Sequence, residues 1–116
     1  MARIEPSKAR DYSMSDYLKD VRHYDAAADE ATIEKIVKHL GIALRNRDSS
    51  LVSCTDPDEL KRVRTNWVEK KLGITDVSKA DAAIESVCAA MKADNTKSRV
   101  TFYYLTAKAL GALASI

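Results

Sequence analysis

The side chains best suited to chemistry lie in two short basic stretches, "RNRDSS" at 45–50 and "TKSR" at 96–99. In the first, Arg45 and Arg47 bracket an asparagine and precede Ser49 and Ser50. Guanidinium forks together with serine amides suit a phosphate or a carboxylate. In the second, Lys97 and Arg99 stand where a helix should begin, against the sign its dipole favours. A fold that gathers Arg45, Arg47, Lys97 and Arg99 within about a Debye length, ~8 Å at physiological salt, would converge four cations beside Ser49 and Ser50. That constellation is the candidate site for an anion or a partner. The structural alternative is a helix end, with Arg45 and Arg47 complementing the negative pole of the preceding helix for some ~0.3–1 kcal/mol. Asp48, Ser49 and Ser50 would then turn the chain into a short capped turn at 51–53. No Gly-rich cradle or P-loop spacing accompanies the arginines, which favours the helix end.

Other chemistries have less to work with. His23 and His39 fall on different expected helices and in no HExxH, GxSxG or metal-ligand spacing, so no catalytic residue, metal or cofactor is expected. Cys54 and Cys88 form no CxxC or Cys/His pattern and are expected to be reduced structural thiols. Trp67 and the five tyrosines read as core aromatics. "KRVRTNWVEKK" reads as a solvated face in which Asp58 and Glu59 pair with Lys61 and Arg62 at i+3 or i+4. Two Leu-Gly-Ile helix ends mimic a helix-turn-helix, but the second is followed by a helix with Asp81 and Glu85 near its start, which would repel phosphates.

The elements that must position these groups follow from size and pattern. A chain of 116 residues, 46% hydrophobic and 31% charged, fits one folded domain with one core. Three glycines and two prolines favour a few long elements over many short strands. Nineteen basic against seventeen acidic residues leave +2, too little to predict polyanion binding. The N-terminus has no apolar stretch and no run approaches the ~20 residues of a membrane span, so a cytoplasmic protein is expected.

Residues 1–14 are polar, contain Pro6 and lack periodicity, which predicts a flexible arm; the helical domain occupies 15–116. Ser15 caps a short helix to about Tyr24. Asp29 caps the next, whose stripe Ile33, Ile36, Val37, Leu40 and Leu44 runs in phase past Gly41 to about Arg45. "TDPDEL" sets Asp56 at the N-cap and Pro57 at N1 of a helix to Leu72, with Gly73 just beyond its end. Ser78 with Asp81 opens a fourth, burying Ile84, Val87, Cys88 and Met91. "RVTFYYL" alone suits a strand, but its phase and Ala-rich continuation predict a helix from about Ser98 to Ala114, apolar almost all round.

The blocks "IVKHLGIALRNRDSSLV", "VEKKLGI" and "MKADNTKSRVTFYYLTAKALG" resemble a family of small, single-domain bacterial proteins catalogued only as a domain of unknown function. The resemblance implies a bacterial origin and a compact helical domain, and brings no functional residue with it. The expected fold is therefore all-α, a compact domain of four to five helices with the apolar C-terminal helix at its centre. The leading functional expectation is a non-catalytic module binding a protein partner or its own copy, through the Tyr/Phe-rich last helix or the RNRDSS edge. Weak nucleic-acid or anion binding through the arginine/lysine cluster is the alternative; an enzyme comes third, and no membrane partner is expected.

Overall fold

In the computed structural model, which describes residues 14–46 and 49–116, the last long helix is the axis on which three of the other helices pack. The expected arm, apart from Met14, and Arg47 with Asp48 lie outside the described residues. Among the described residues there are five α-helices: α1 (Met14–Tyr24), α2 (Glu30–Leu40), α3 (Pro57–Val63), α4 (Val77–Ala90) and α5 (Arg99–Ala109). The all-α expectation holds, with an isolated antiparallel bridge between Leu51 and Ser98 as the extended pairing among those residues.

α5 packs on α1, α2 and α4, which is why its sequence shows no polar face: Val100, Phe102, Tyr103, Tyr104 and Ala107 are all buried. Each large apolar side chain enclosed this way contributes about 1.5–3 kcal/mol relative to exposure. The helix is shorter than its apolar pattern suggested. It ends at Ala109 and a 3₁₀ turn, Leu113–Ser115, follows, with the Ala112 amide donating back to the Ala107 carbonyl at 2.8 Å.

Side-chain caps set several starts. Asp29 accepts from the Thr32 amide at 3.2 Å, and Asp56 from the Asp58 and Glu59 amides at 3.0 and 3.4 Å, as the sequence predicts. α4 starts differently. Its cap is Asp76, which accepts from the Lys79 amide at 3.1 Å, while Asp81 pairs with Arg64 at 3.0 Å across to the preceding segment. The predicted Ser78/Asp81 start is corrected because Asp81 has a stronger, charged partner elsewhere.

Two further expectations change. α2 stops at Leu40, because Gly41 has φ +47°, a left-handed conformation that terminates a helix and that only glycine adopts freely. Gly41–Arg45 is instead a 3₁₀ turn, whose Leu44 still packs on the core. The predicted Pro57–Leu72 helix is α-helical only to Val63 and then widens into a π turn, Arg64–Glu69. There the Lys70 and Leu72 amides reach back five residues to Thr65 and Trp67, at 3.1 and 2.9 Å.

The expectation of reduced cysteines is overturned: Cys54 and Cys88 form a disulfide with Cα atoms 5.9 Å apart. Neither lies in a recognisable motif; the fold alone brings the 49–56 segment onto α4. The bond also removes one support for a cytoplasmic location, since such bonds are rare where thiols are kept reduced. No helix of the described residues is long and apolar enough to cross a membrane.

A polar seam ties α1 and its following turn to α5. Thr101 donates to Asp20, Tyr104 donates to Asp25 at 2.7 Å, and Lys108 pairs with the same Asp25 oxygen at 3.0 Å. The bond from Tyr104, then that from Lys108, holds the Asp25 carboxyl below its ordinary range. Burial, then the bond to Asp25, pushes the Tyr104 hydroxyl up to about 12.

Both shifts predict a pH dependence of stability. Asp25 stabilises the fold above the ordinary carboxylate value of ~4, and that contribution is lost as pH falls through its lower folded value. Tyr104 stabilises below the ordinary tyrosine value of ~10, and its contribution is lost as pH rises toward 12. Urea midpoints measured across pH should fall on both limbs, and Tyr104→Phe should flatten the alkaline one. Separately, reducing the disulfide, which closes a loop of 34 residues, should lower the unfolding free energy by about 3–4 kcal/mol; urea curves with and without dithiothreitol measure this.

Candidate functional site

Arg99 is the residue around which this end of the molecule is built. As the first residue of α5 its backbone amide donates to the Ser50 carbonyl at 2.8 Å, and the neighbouring Val52 amide donates to the Lys97 carbonyl at 2.9 Å. Its side chain then turns back along this two-residue ladder. Nε donates to the Ser49 carbonyl at 2.6 Å and Nη2 to the Leu51 carbonyl at 3.0 Å. The same Nη2 lies 2.7 Å from Glu59 Oε2 on α3. With side chains 10% and 13% exposed, this is a nearly buried ion pair, whose desolvation is offset by the two carbonyls as well as by the opposite charge.

Aromatic rings floor the site. The Arg99 guanidinium sits 5.8 Å from the Tyr103 ring centroid, and Tyr103 stacks on Trp67 at 4.5 Å. The Trp67 indole N–H donates to the Tyr103 carbonyl at 2.9 Å, so the π turn that carries Trp67 is pinned to α5 twice. π turns recur at functional sites. The His39 ring is 5.2 Å from that of Trp67. Burial, then the charge of Lys71, pushes the His39 imidazole below its ordinary value, and burial raises the Tyr103 hydroxyl against the opposing pull of Arg99.

Over this floor lies an open groove of about 500 Å³, with His39, Ala43, Glu59, Arg62, Asn66 and Arg99 among its walls. Arg62 Nη2 holds the second Glu59 oxygen at 3.1 Å, the i+3 pair expected from the sequence. A second groove of about 510 Å³ shares Glu59 and is lined by Cys54, Asp56 and Lys97. Chemically the first groove offers an exposed guanidinium, an imidazole, an amide and an apolar edge. Its one carboxylate carries two guanidiniums, so it has no unpaired acid to serve as a base. Among the described residues no group of three or more His, Cys, Asp or Glu is placed to hold a metal ion.

The sequence-derived candidates are distributed unevenly around this site. Ser49, Ser50 and Arg99 meet, but through the serine carbonyls, and the Ser49 hydroxyl donates to the Ala43 carbonyl at 2.6 Å. The Lys97 ammonium donates to the Asp94 carbonyl at 2.8 Å. Arg45 ends the 3₁₀ turn and is exposed, while Arg47 lies outside the described residues. The charge of Arg99 is thus met inside the protein by Glu59, and the apparent dipole conflict at the start of α5 has its explanation in that pair. Glu59, Arg62 and Asn66 are not singled out as site residues by sequence. Glu59 and Arg62 are legible only as a helical charge pair, and nothing local marks their meeting with Arg99.

A family model described as Protein of unknown function (DUF2853) matches residues 16–114, nearly all of the described fold, and the chain belongs to that family. No curated protein matches the chain.

Arg99→Met should cost roughly 3 kcal/mol, because it leaves the nearly buried Glu59 with only the exposed Arg62 as a charged partner and takes the side-chain donors from the Ser49 and Leu51 carbonyls. Adding Glu59→Gln should recover part of that loss, giving a coupling energy above ~1 kcal/mol in a double-mutant cycle read by urea denaturation. Strictly additive costs would mean that the pair is not a working unit.

Proposed function

We propose that this member of the DUF2853 family is a non-catalytic interaction module that docks a protein partner on the edge formed by the Gly41–Arg45 turn, the 49–51 segment and the end of α3. The observation that carries the reading is Ile42, 78% exposed, in the turn between Leu40 and Ala43, which line the groove together with Arg62. An exposed apolar side chain means little alone. Beside a charged groove with an aromatic floor it has the anatomy of a binding edge, an apolar anchor next to groups that set orientation.

Enclosure of Phe102, Tyr103 and Tyr104 within α5 supports a separate partner over a second copy, since the helix that self-association would use is already covered. The bacterial setting is carried over from the resemblance of the RNRDSSLV and TKSRVTFYYL blocks. A cytoplasmic location is also part of the proposal. It requires the Cys54–Cys88 bond to persist against a reducing thiol pool, which alkylation of intact cells reads directly.

The test is affinity capture from a lysate of the native host, with and without nuclease, comparing the wild type with Ile42→Asp. The substitution sits at an exposed position and should leave the helical circular-dichroism spectrum unchanged. A nuclease-resistant partner whose recovery drops roughly tenfold, equivalent to about 1.4 kcal/mol, is the expected result. Equal recovery by both proteins overturns the docking edge, and loss of all bound material on nuclease treatment replaces it with nucleic-acid binding.

A further inference from the structure

We propose that the groove beside Arg99 is a carboxylate-binding subsite, in which Arg62 and Asn66 receive an acidic side chain of a partner peptide whose apolar neighbours lie on Leu40, Ala43 and Ile42. This rests on the reading of that edge as the docking face and adds the chemistry of what docks there.

Charge decides the sign of the ligand. Inside the groove one carboxylate, Glu59, faces two guanidiniums, Arg99 at 2.7 Å and Arg62 at 3.1 Å. One positive charge is left over. The groove that shares Glu59 sets Asp56 against Lys97, which leaves no surplus once Glu59 is counted with its two guanidiniums. An anionic group is therefore drawn to the first groove rather than to the second.

Geometry selects the kind of anion. Arg99 is committed to Glu59 and to two carbonyls, so it is not a free fork. Arg62 spends only Nη2 on Glu59 and, with a side chain 58% exposed, turns its other N–H donors to the groove; Asn66 follows one turn later. One exposed guanidinium and one amide match a carboxylate, which takes two parallel N–H donors from such a fork. A phosphate dianion, with more charge to neutralise, has a poorer counterpart here. The groove volume of about 500 Å³ is that of an ordinary ligand site, and its apolar members suit side chains flanking the acid.

The experiment titrates the isotopically labelled full chain with the blocked tripeptides Leu-Glu-Leu and Leu-Gln-Leu and with a short single-stranded oligothymidylate, following the Arg62 Nε–H and Asn66 amide signals by NMR. Saturable shifts with the Glu peptide are expected. They should weaken roughly tenfold when Gln replaces Glu or when Arg62→Gln is used, as loss of a charge-assisted hydrogen bond implies. Equal binding of both peptides, an unaffected Arg62→Gln, preference for the oligothymidylate, or no saturation up to roughly 10 mM each overturns the subsite. Capture lost in Ile42→Asp but intact in Arg62→Gln removes the carboxylate subsite and leaves the docking edge standing. Capture intact in Ile42→Asp removes the docking edge itself, whatever the peptides do.

Discussion

A single guanidinium fixes how one end of this molecule is assembled. Arg99 starts the central helix, and its side chain returns to the carbonyls of Ser49 and Leu51 while its charge reaches Glu59. Those contacts join three pieces of chain that no local rule connects: the segment after the 3₁₀ turn, the first turn of α3 and the start of α5. A lysine has one point charge and cannot hold two carbonyls and a carboxylate from a planar fork. Breaking a nearly buried pair is costly because the remaining charge stays enclosed without water. The groove has its shape because this strut holds its walls.

The strut does not work alone. The disulfide between Cys54 and Cys88 fastens the far side of the same segment to α4, so residues 49–56 are held noncovalently by α5 and covalently by α4. Arg64 links the π turn to Asp81 on α4 at 3.0 Å, and the Trp67 indole links it to α5 at 2.9 Å. At the opposite flank, Asp20 and Asp25 receive hydroxyls from Thr101 and Tyr104. α5 is thus both the hydrophobic centre and the element to which α1 with its following turn, α3 and the π turn are tied by polar bonds. Apolar burial is non-directional; these bonds choose which way each neighbour faces.

That division of labour bears on function. Aromatic residues that look like a docking face in the sequence are consumed by the core, so the proposed docking edge is the surface around Arg62 and Ile42. Of the basic residues singled out in the sequence, Arg99 is neutralised by Glu59, and Lys97 is directed to a backbone carbonyl. The surplus charge of the groove comes from Arg62, a residue whose spacing in the sequence suggests only a helical ion pair.

Helix content, the caps at Asp29 and Asp56, and the central place of the last helix were determined by the sequence itself, because periodicity, capping and apolarity act over a few residues. The tertiary structure decided the remainder. Gly41 stays compatible with a continuous stripe until the backbone takes a positive φ. Asp81 has the spacing of a capping partner until Arg64 comes within reach. The cysteines look solitary because their pairing depends on loop closure over 34 residues. Arg99 finds Ser49, fifty positions away, only once α5 has been buried among its neighbours. Short-range rules specify elements, but the partners of a charge or a thiol are set by where packing brings distant segments together, and the groove is made of such partners.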